Sequence, residues 1–341
     1  MNKKINAAII GTGRMAQVYY DLLVKKKINI IGFFDISKKN LKKFKEKNKI
    51  SSDKIFFNLK NFFKIKNLDL IIISTTTDYH CSYIEMALNI NIKYILVEKP
   101  LCRSLIEAKK ILKKLSNKKT RLLVNHNQKE TFEFNKIKKI ASKFKLGNLK
   151  SMTVVAGNMG LAMNGIHYLD TFQHLTGKLL NQVSAQFDDI KLYNPRGNKF
   201  NDKAGIIISN NNINQKIIIN ASAYQGHARQ VAFTFHSGII NLNLINGKIE
   251  FLIRKKKYIN KPTYLYALPS INKNFKIKSS SLSFSISQNL KKLLSSKNIS
   301  RDLEIAIQNV IILIGCYESN SKNNKKIDVK NLRTKKTFPW A

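Results

Sequence analysis

Chemistry-bearing residues gather at a few places in this 341-residue chain. The first is Gly11-Thr12-Gly13-Arg14-Met15-Ala16, which directly follows the apolar run Ala7-Ala8-Ile9-Ile10. Gly-x-Gly-x-x-Ala spacing lets the main chain approach a pyrophosphate, whose charge then rests on the amides that open a following helix. Asp35 stands 22 residues beyond Gly13, at the end of a second apolar run. A carboxylate there accepts hydrogen bonds from ribose hydroxyls and repels a 2′-phosphate, favouring NAD, while Ser37 and Lys38 keep NADP open. The plainer alternative for Asp35 is capping of a loop or of a helix near Asn40.

Ser74-Thr75-Thr76-Thr77-Asp78-Tyr79-His80 ends another apolar run. Its hydroxyls could line a nicotinamide, or Thr77 and Asp78 could simply cap a helix. Glu98-Lys99-Pro100 closes the next run, where desolvation could bring a lysine into the range of proton transfer. Asn125, His126 and Asn127 end a further run and are candidate substrate contacts or ordinary loop residues. Tyr224, His227 and Arg229 flank a strand, and surface placement is the stronger reading for them.

These groups need a scaffold. Predicted strands at Ile5–Ile10, Ile28–Phe34, Lys54–Phe57, Leu70–Ser74, Tyr94–Val97 and Leu122–Val124 are mostly apolar without alternation, as strands buried on both faces must be. Helical spacing of Met15, Val18, Tyr19 and Leu22, and a Ser104/Glu107 capping box, place helices between them. The expected fold class is α/β: a doubly wound parallel Rossmann sheet, followed by an α+β domain with an open, mainly antiparallel sheet. Strand runs at Met152–Val155, Ile206–Ser209, Lys216–Ala221, Val231–Phe235, Ile239–Leu244 and Lys248–Ile253 build the second sheet, with Asn246-Gly247 as a hairpin turn. Helices are expected at about 132–144, 165–175, 285–294 and 302–318. Residues 1–125 form the expected dinucleotide-binding domain. Residues 126–341 form the substrate-binding and oligomerisation domain, its C-terminal helix able to pack back on the first.

A net charge of +41 ordinarily suggests a polyanion as partner. Here the lysines are scattered and only eight of the 61 basic residues are arginine, so A/T-rich codon usage accounts for the bias without a specific nucleic acid. A polyanion-binding protein stays the remote alternative. Three cysteines without metal-ligand or disulfide spacing suit a reducing cytoplasm, and no metal site is expected. No signal peptide or membrane span is expected, since the longest late apolar run, 310–314, is far below the roughly 20 residues a span needs.

Gly11-Thr12-Gly13-Arg14-Met15-Ala16, Glu98-Lys99-Pro100-Leu101 and Gly165-Ile166-His167-Tyr168-Leu169-Asp170, in that order, resemble the Gfo/Idh/MocA oxidoreductases. The resemblance extends over nearly the whole chain, to the segment from Asp302 to Ser319. It implies NAD or NADP and a small carbohydrate substrate, including a sugar or nucleotide sugar of surface glycan synthesis. It also implies dimers or tetramers formed through the open sheet. It makes Lys99 and His167 the catalytic pair. Gly11, Thr12, Gly13, Arg14, Met15, Ala16, Asp35, Ser74, Thr75, Thr76, His80, Glu98 and Lys99 become cofactor contacts. Lys99, Asn125, Asn164, His167 and Asp170 become substrate contacts. The family pattern usually has Asp four residues before the histidine, and this chain has Met163. Lys99 and His167 then remain for proton transfer. The alternative is a dinucleotide-binding regulatory or scaffold protein without turnover.

Overall fold

The protein is described by a computed structural model over residues 5–190, 193, 197, 200–226, 229–262, 269–295, 299–338 and 340. It divides into two compact units. The first comprises residues 1–126, 282–307 and 335–337; the second comprises 127–281, 308–334 and 338–341. The sequence reading placed one boundary after 125, whereas the division is discontinuous because late segments return to the first unit.

The first unit is a six-stranded parallel sheet. Its strands are β1 (Asn6–Ile10), β2 (Asn29–Phe34), β3 (Ile55–Phe56), β4 (Leu70–Ile73), β5 (Tyr94–Val97) and β6 (Arg121–Val124), in the order β3-β2-β1-β4-β5-β6. Helices α1 (Arg14–Lys25), α2 (Lys38–Lys47), α3 (Leu59–Phe62), α4 (His80–Asn89) and α5 (Leu105–Leu115) alternate with them. Strand order reverses between β1 and β4, and ligands of open α/β sheets bind at the carboxyl ends beside such a switch. All four β4 residues are buried, as an apolar run without alternation requires. Ser104 caps α5 by accepting from the Glu107 amide at 3.1 Å, while Glu107 reaches back to the Arg103 amide at 2.7 Å. Helix α6 (Phe132–Lys143) opens the second unit's share of the chain. Two late helices follow, α8 (Leu282–Ser295) and α9 (Ser300–Ser321). Ile286, Leu290 and Leu293 of α8 join Ile9, Ile72, Leu96 and Leu123 in the core of the first unit.

In the second unit a nine-stranded sheet runs β14-β13-β12-β11-β7-β10-β9-β8-β15. The strands are β7 (Leu149–Val155), β8 (Gln182–Phe187), β9 (Gly205–Asn210), β10 (Lys216–Asn220), β11 (Gln230–Phe235), β12 (Gly238–Asn243), β13 (Lys248–Arg254), β14 (Pro269–Lys276) and β15 (Ile327–Asp328). Neighbours are antiparallel except β7 and β10. Sequence reading missed β8, β14 and β15. The last two are edge strands of low apolar content that form because a partner strand offers its free edge. Helix α7 (Ile166–Thr176) packs on β7 and β10 and stops at Gly177, whose φ of 66° a glycine adopts at least cost.

Alternation sets the sheet's two faces. Met152, Val154, Ile207, Ile217 and Ile219 are buried on one side. On the other, register aligns Val155, Asn220 and Ile206 in one row and Thr153, Ile218 and Ile208 in the next. Val155, Ile206 and Ile208 are 37%, 36% and 45% exposed there.

Candidate functional site

The phosphate-turn candidate sits at the switch point. Gly11 donates its amide to the Phe34 carbonyl at 2.8 Å and has φ +87°. A Cβ at Gly11 would lie 2.8 Å from the Ser74 backbone, so only glycine lets the ends of β1 and β4 come this close. A Cβ at Gly13 would meet nothing within 4 Å, and Gly13 and Arg14 are exposed. Gly13 is the N-cap of α1 without a side-chain cap, and the first helical turn carries no acidic residue. Open space thus faces uncapped amides at the positive end of a 12-residue helix, and a pyrophosphate fits such a cradle. Met15 is half-buried, and Ala16, fully buried, is small enough to seat α1 on the sheet.

Asp35 is a brace as well as a candidate ribose acceptor. Its Oδ2 accepts from the Thr12 amide at 2.6 Å and the Thr12 hydroxyl at 2.9 Å, and its Oδ1 accepts from the Ser37 amide at 2.8 Å. A carboxylate has about four lone-pair positions, so Oδ1 keeps one. The local alternative and the cofactor reading are therefore compatible.

At the end of β4, the Ser74 hydroxyl donates to the Gly11 carbonyl at 2.8 Å, holding the glycine turn instead of pointing at a ligand. Thr76 bonds the Asp78 carboxylate, and Thr75 packs its methyl toward Gly11. His80 opens α4. It is fully buried, with Nδ1 2.8 Å from the Pro100 carbonyl and Nε2 3.2 Å from the Thr75 carbonyl. Burial lowers its pKa below the ordinary 6.5, more strongly than the two carbonyls raise it. A neutral imidazole carries one N–H and so donates to only one of these two carbonyls.

Glu98 and Asn125 belong to a buried polar network. Glu98 Oε1 accepts from the Tyr19 hydroxyl at 2.5 Å and from Asn125 Nδ2 at 2.9 Å, and Asn125 Oδ1 accepts from Asn289 Nδ2 at 2.9 Å. Glu98 is 8% exposed and Asn125 2%. Burial, then the neighbouring Glu98 charge, raises the Tyr19 pKa well above 10 and keeps its proton in place. A buried carboxylate needs such donors, each charge-assisted bond contributing about 1.5–3 kcal/mol. This chain of side chains ties α1, α8 and the ends of β5 and β6 together. Lys99 itself is half-exposed, its amide 3.4 Å from Glu98 Oε2, and its peptide bond to Pro100 is cis.

In the second unit a π-helical turn, Leu161–Gly165, leads into α7, with Asn164 and Gly165 amides both donating to the Gly160 carbonyl. Asn164, in the π-helical turn, is exposed, and His167, in the first turn of α7, is half-buried. Asp170 is wholly buried. Its Oδ2 pairs with Lys129 Nζ at 2.9 Å, and Asn309 Nδ2 donates to its Oδ1 at 3.3 Å. Sequence reading missed Lys129, since one lysine carries no signal among 53. It also missed Asn289, Asp202 and the polar tip of Tyr19, which read only as an apolar position of α1. Tyr224 and Arg229 are exposed as expected, and His227 lies outside the described residues. Among the described residues no group of three His, Cys, Asp or Glu side chains could hold a metal, and no helix is long and apolar enough to cross a membrane.

Residues 5–126 match the family model GFO_IDH_MocA, described as an oxidoreductase family with an NAD-binding Rossmann fold. No curated protein matches the chain. Among solved structures, an oxidoreductase from Agrobacterium radiobacter in complex with NAD+, L-tartaric acid and magnesium is 17% identical. Its TM-score is 0.79, over 96% of this chain and 99% of that one. Levoglucosan dehydrogenase in complex with NADH is 13% identical, with a TM-score of 0.78 over 95% and 99%. An NAD-binding protein from Listeria innocua is 15% identical, with a TM-score of 0.73 over 96% and 99%. At these identities the likeness is one of fold. Over residues 5–126 the chain is thus similar to the NAD-binding Rossmann fold of this oxidoreductase family.

Proposed function

We propose that this protein is an NAD-dependent oxidoreductase acting on a hydroxyl or carbonyl group of a carbohydrate. The observation that carries the reading is the glycine turn at the β1/β4 switch point, with open space over Gly13 and uncapped amides behind it. Asp35 Oδ1, held by the Ser37 amide, keeps an acceptor position for a ribose hydroxyl, and its charge disfavours a 2′-phosphate. Nicotinamide, when bound, supplies the hydride acceptor or donor for a carbinol/carbonyl pair.

The chain must then handle a hydroxyl proton, and a positioned acid/base group contributes about 100- to 10,000-fold. Lys99 is the candidate in the first unit, set on the buried Glu98 framework. His167 is the candidate in the second, with Asn164 beside it as a polar substrate contact. The fold it shares with levoglucosan dehydrogenase supports a sugar as substrate class. A second copy of the chain is the proposed partner of the exposed Val155, Ile206 and Ile208 face. Free, buried Cys81, Cys102 and Cys316 support a reducing, cytoplasmic compartment. One observation favours a binding protein without turnover instead, namely Met163 where the resemblance leads one to expect a carboxylate.

The test is an absorbance assay of the purified protein with NAD or NADP against sugars, polyols and nucleotide sugars. NAD-linked turnover is expected, reduced about 100-fold or more by Lys99→Met and by His167→Ala. Equal turnover in both variants would remove the site assignment. NAD binding without turnover on any carbohydrate would favour the second reading.

A further inference from the structure

The turn that carries Asn164 and His167 is anchored from a loop some 40 residues downstream. Asp202, 3% exposed, accepts from the Ala162 amide through Oδ1 at 2.9 Å and from the Met163 amide through Oδ2 at 2.8 Å. The Leu161 amide donates to the Lys203 carbonyl at 2.8 Å. Three consecutive amides at the start of the helical run are therefore satisfied by two adjacent residues, where a helix normally leaves its first amides without main-chain partners. The fit is close on both sides, since a Cβ on Gly160 would lie 2.2 Å from Asp202 Oδ2. The anchoring loop is itself held, the Asn201 carbonyl accepting from the Tyr317 hydroxyl at 3.2 Å. The Tyr317 ring packs against Phe187 and Phe338 at centroid distances of 4.9 and 4.7 Å.

We propose that Asp202 is a positioning residue for the reaction, its carboxylate fixing the π-helical turn and thereby the placement of Asn164 and the His167 imidazole. The carboxylate meets the backbone amide of Met163, the residue four positions before His167. The two oxygens grip two neighbouring amides, so turn and carboxylate form one rigid unit. An amide side chain cannot reproduce this, because its NH2 group would face one of the donors. The consequence for turnover rests on the reading of His167 as a proton-handling group; the consequence for the turn's structure does not.

Asp202→Asn tests both. Four quantities are compared with the parent protein: kcat, KM for NAD, amide exchange over 161–167, and the titration of the assigned His167 imidazole resonance by NMR. The expected result is a kcat about 10- to 100-fold lower, with KM for NAD unchanged, faster exchange at 162 and 163 and a displaced His167 titration. Gly160→Ala, which keeps the charge and pushes the carboxylate aside, is expected to give the same pattern, and it stands in should Asp202→Asn fail to fold. Unchanged exchange and His167 titration in a folded variant would overturn the proposal, as would an equal fall in activity with no displacement of His167. If the parent protein turns over no carbohydrate, the proposed function fails by itself, and the exchange and titration measurements still decide the role of Asp202.

Discussion

Helix α1 and the helical run from Leu161 into α7 begin with the same problem, amides that lack helical partners, and treat it in opposite ways. At α1 the N-cap is a glycine without a side-chain cap, and space lies open above it. At Leu161–Met163 the amides are closed by the Lys203 carbonyl and the Asp202 carboxylate. An open helix start is suited to a ligand anion; a closed one is suited to holding side chains at fixed positions. The first region depends on backbone approach within a short motif. The second depends on buried polar partners drawn from far along the chain.

The largest effect that would test this contrast is expected at Lys129. Removing one member of the buried Lys129–Asp170 pair leaves an uncompensated charge, so Lys129→Met should lower unfolding stability by about 3–5 kcal/mol in chemical denaturation. Adding Asp170→Leu should recover much of that loss, and a single variant as stable as the parent would show that the second unit does not rely on this pair.

The two glycines of the turn should separate. Gly11→Ala places a side chain at φ +87° against the Ser74 backbone and is expected to destabilise by about 1–2 kcal/mol from backbone conformation alone. Gly13→Ala should leave the melting temperature nearly unchanged while weakening NAD about tenfold or more in calorimetric titration. Were Gly13→Ala to bind NAD as well as the parent, the open helix start would not be the phosphate site.

Asn289→Leu leaves the Asn125 carbonyl oxygen buried without its donor, and a loss of about 1–3 kcal/mol in the denaturation midpoint is the expected reading. The smallest effect is a pH dependence at His80. Its folded pKa is below the ordinary 6.5, so the unfolded chain takes up the proton first. Stability is thus full above about pH 6.5 and declines as pH falls below it, by at most about 1.4 kcal/mol per pH unit. His80→Gln should flatten that decline, and an identical profile in the variant would contradict a buried neutral ring.

Much of the first unit was legible because its signals are local. Apolar strands without alternation, glycines at turn spacing and a capping serine each act within a few residues, and the observed strand edges fall within a residue or so of those expected. Ser74, His80, Glu98 and Asn125 were correctly placed at the carboxyl edge of the sheet. Their contacts were not legible, because a polar residue at a sheet edge can face a ligand or a neighbouring loop with the same local sequence.

By itself the sequence determined the parallel sheet, the glycine turn, Asp35 at the end of β2 and the His167 helix, since periodicity and spacing constrain the backbone directly. Only the tertiary structure decided that Asp35 braces Thr12, that Asp170 is closed against Lys129, and that Asp202 grips the turn before His167. These are pairings between residues 23, 41 and about 40 positions apart. Burial makes each pairing obligatory, because a polar group removed from water must find its partner wherever the fold brings one.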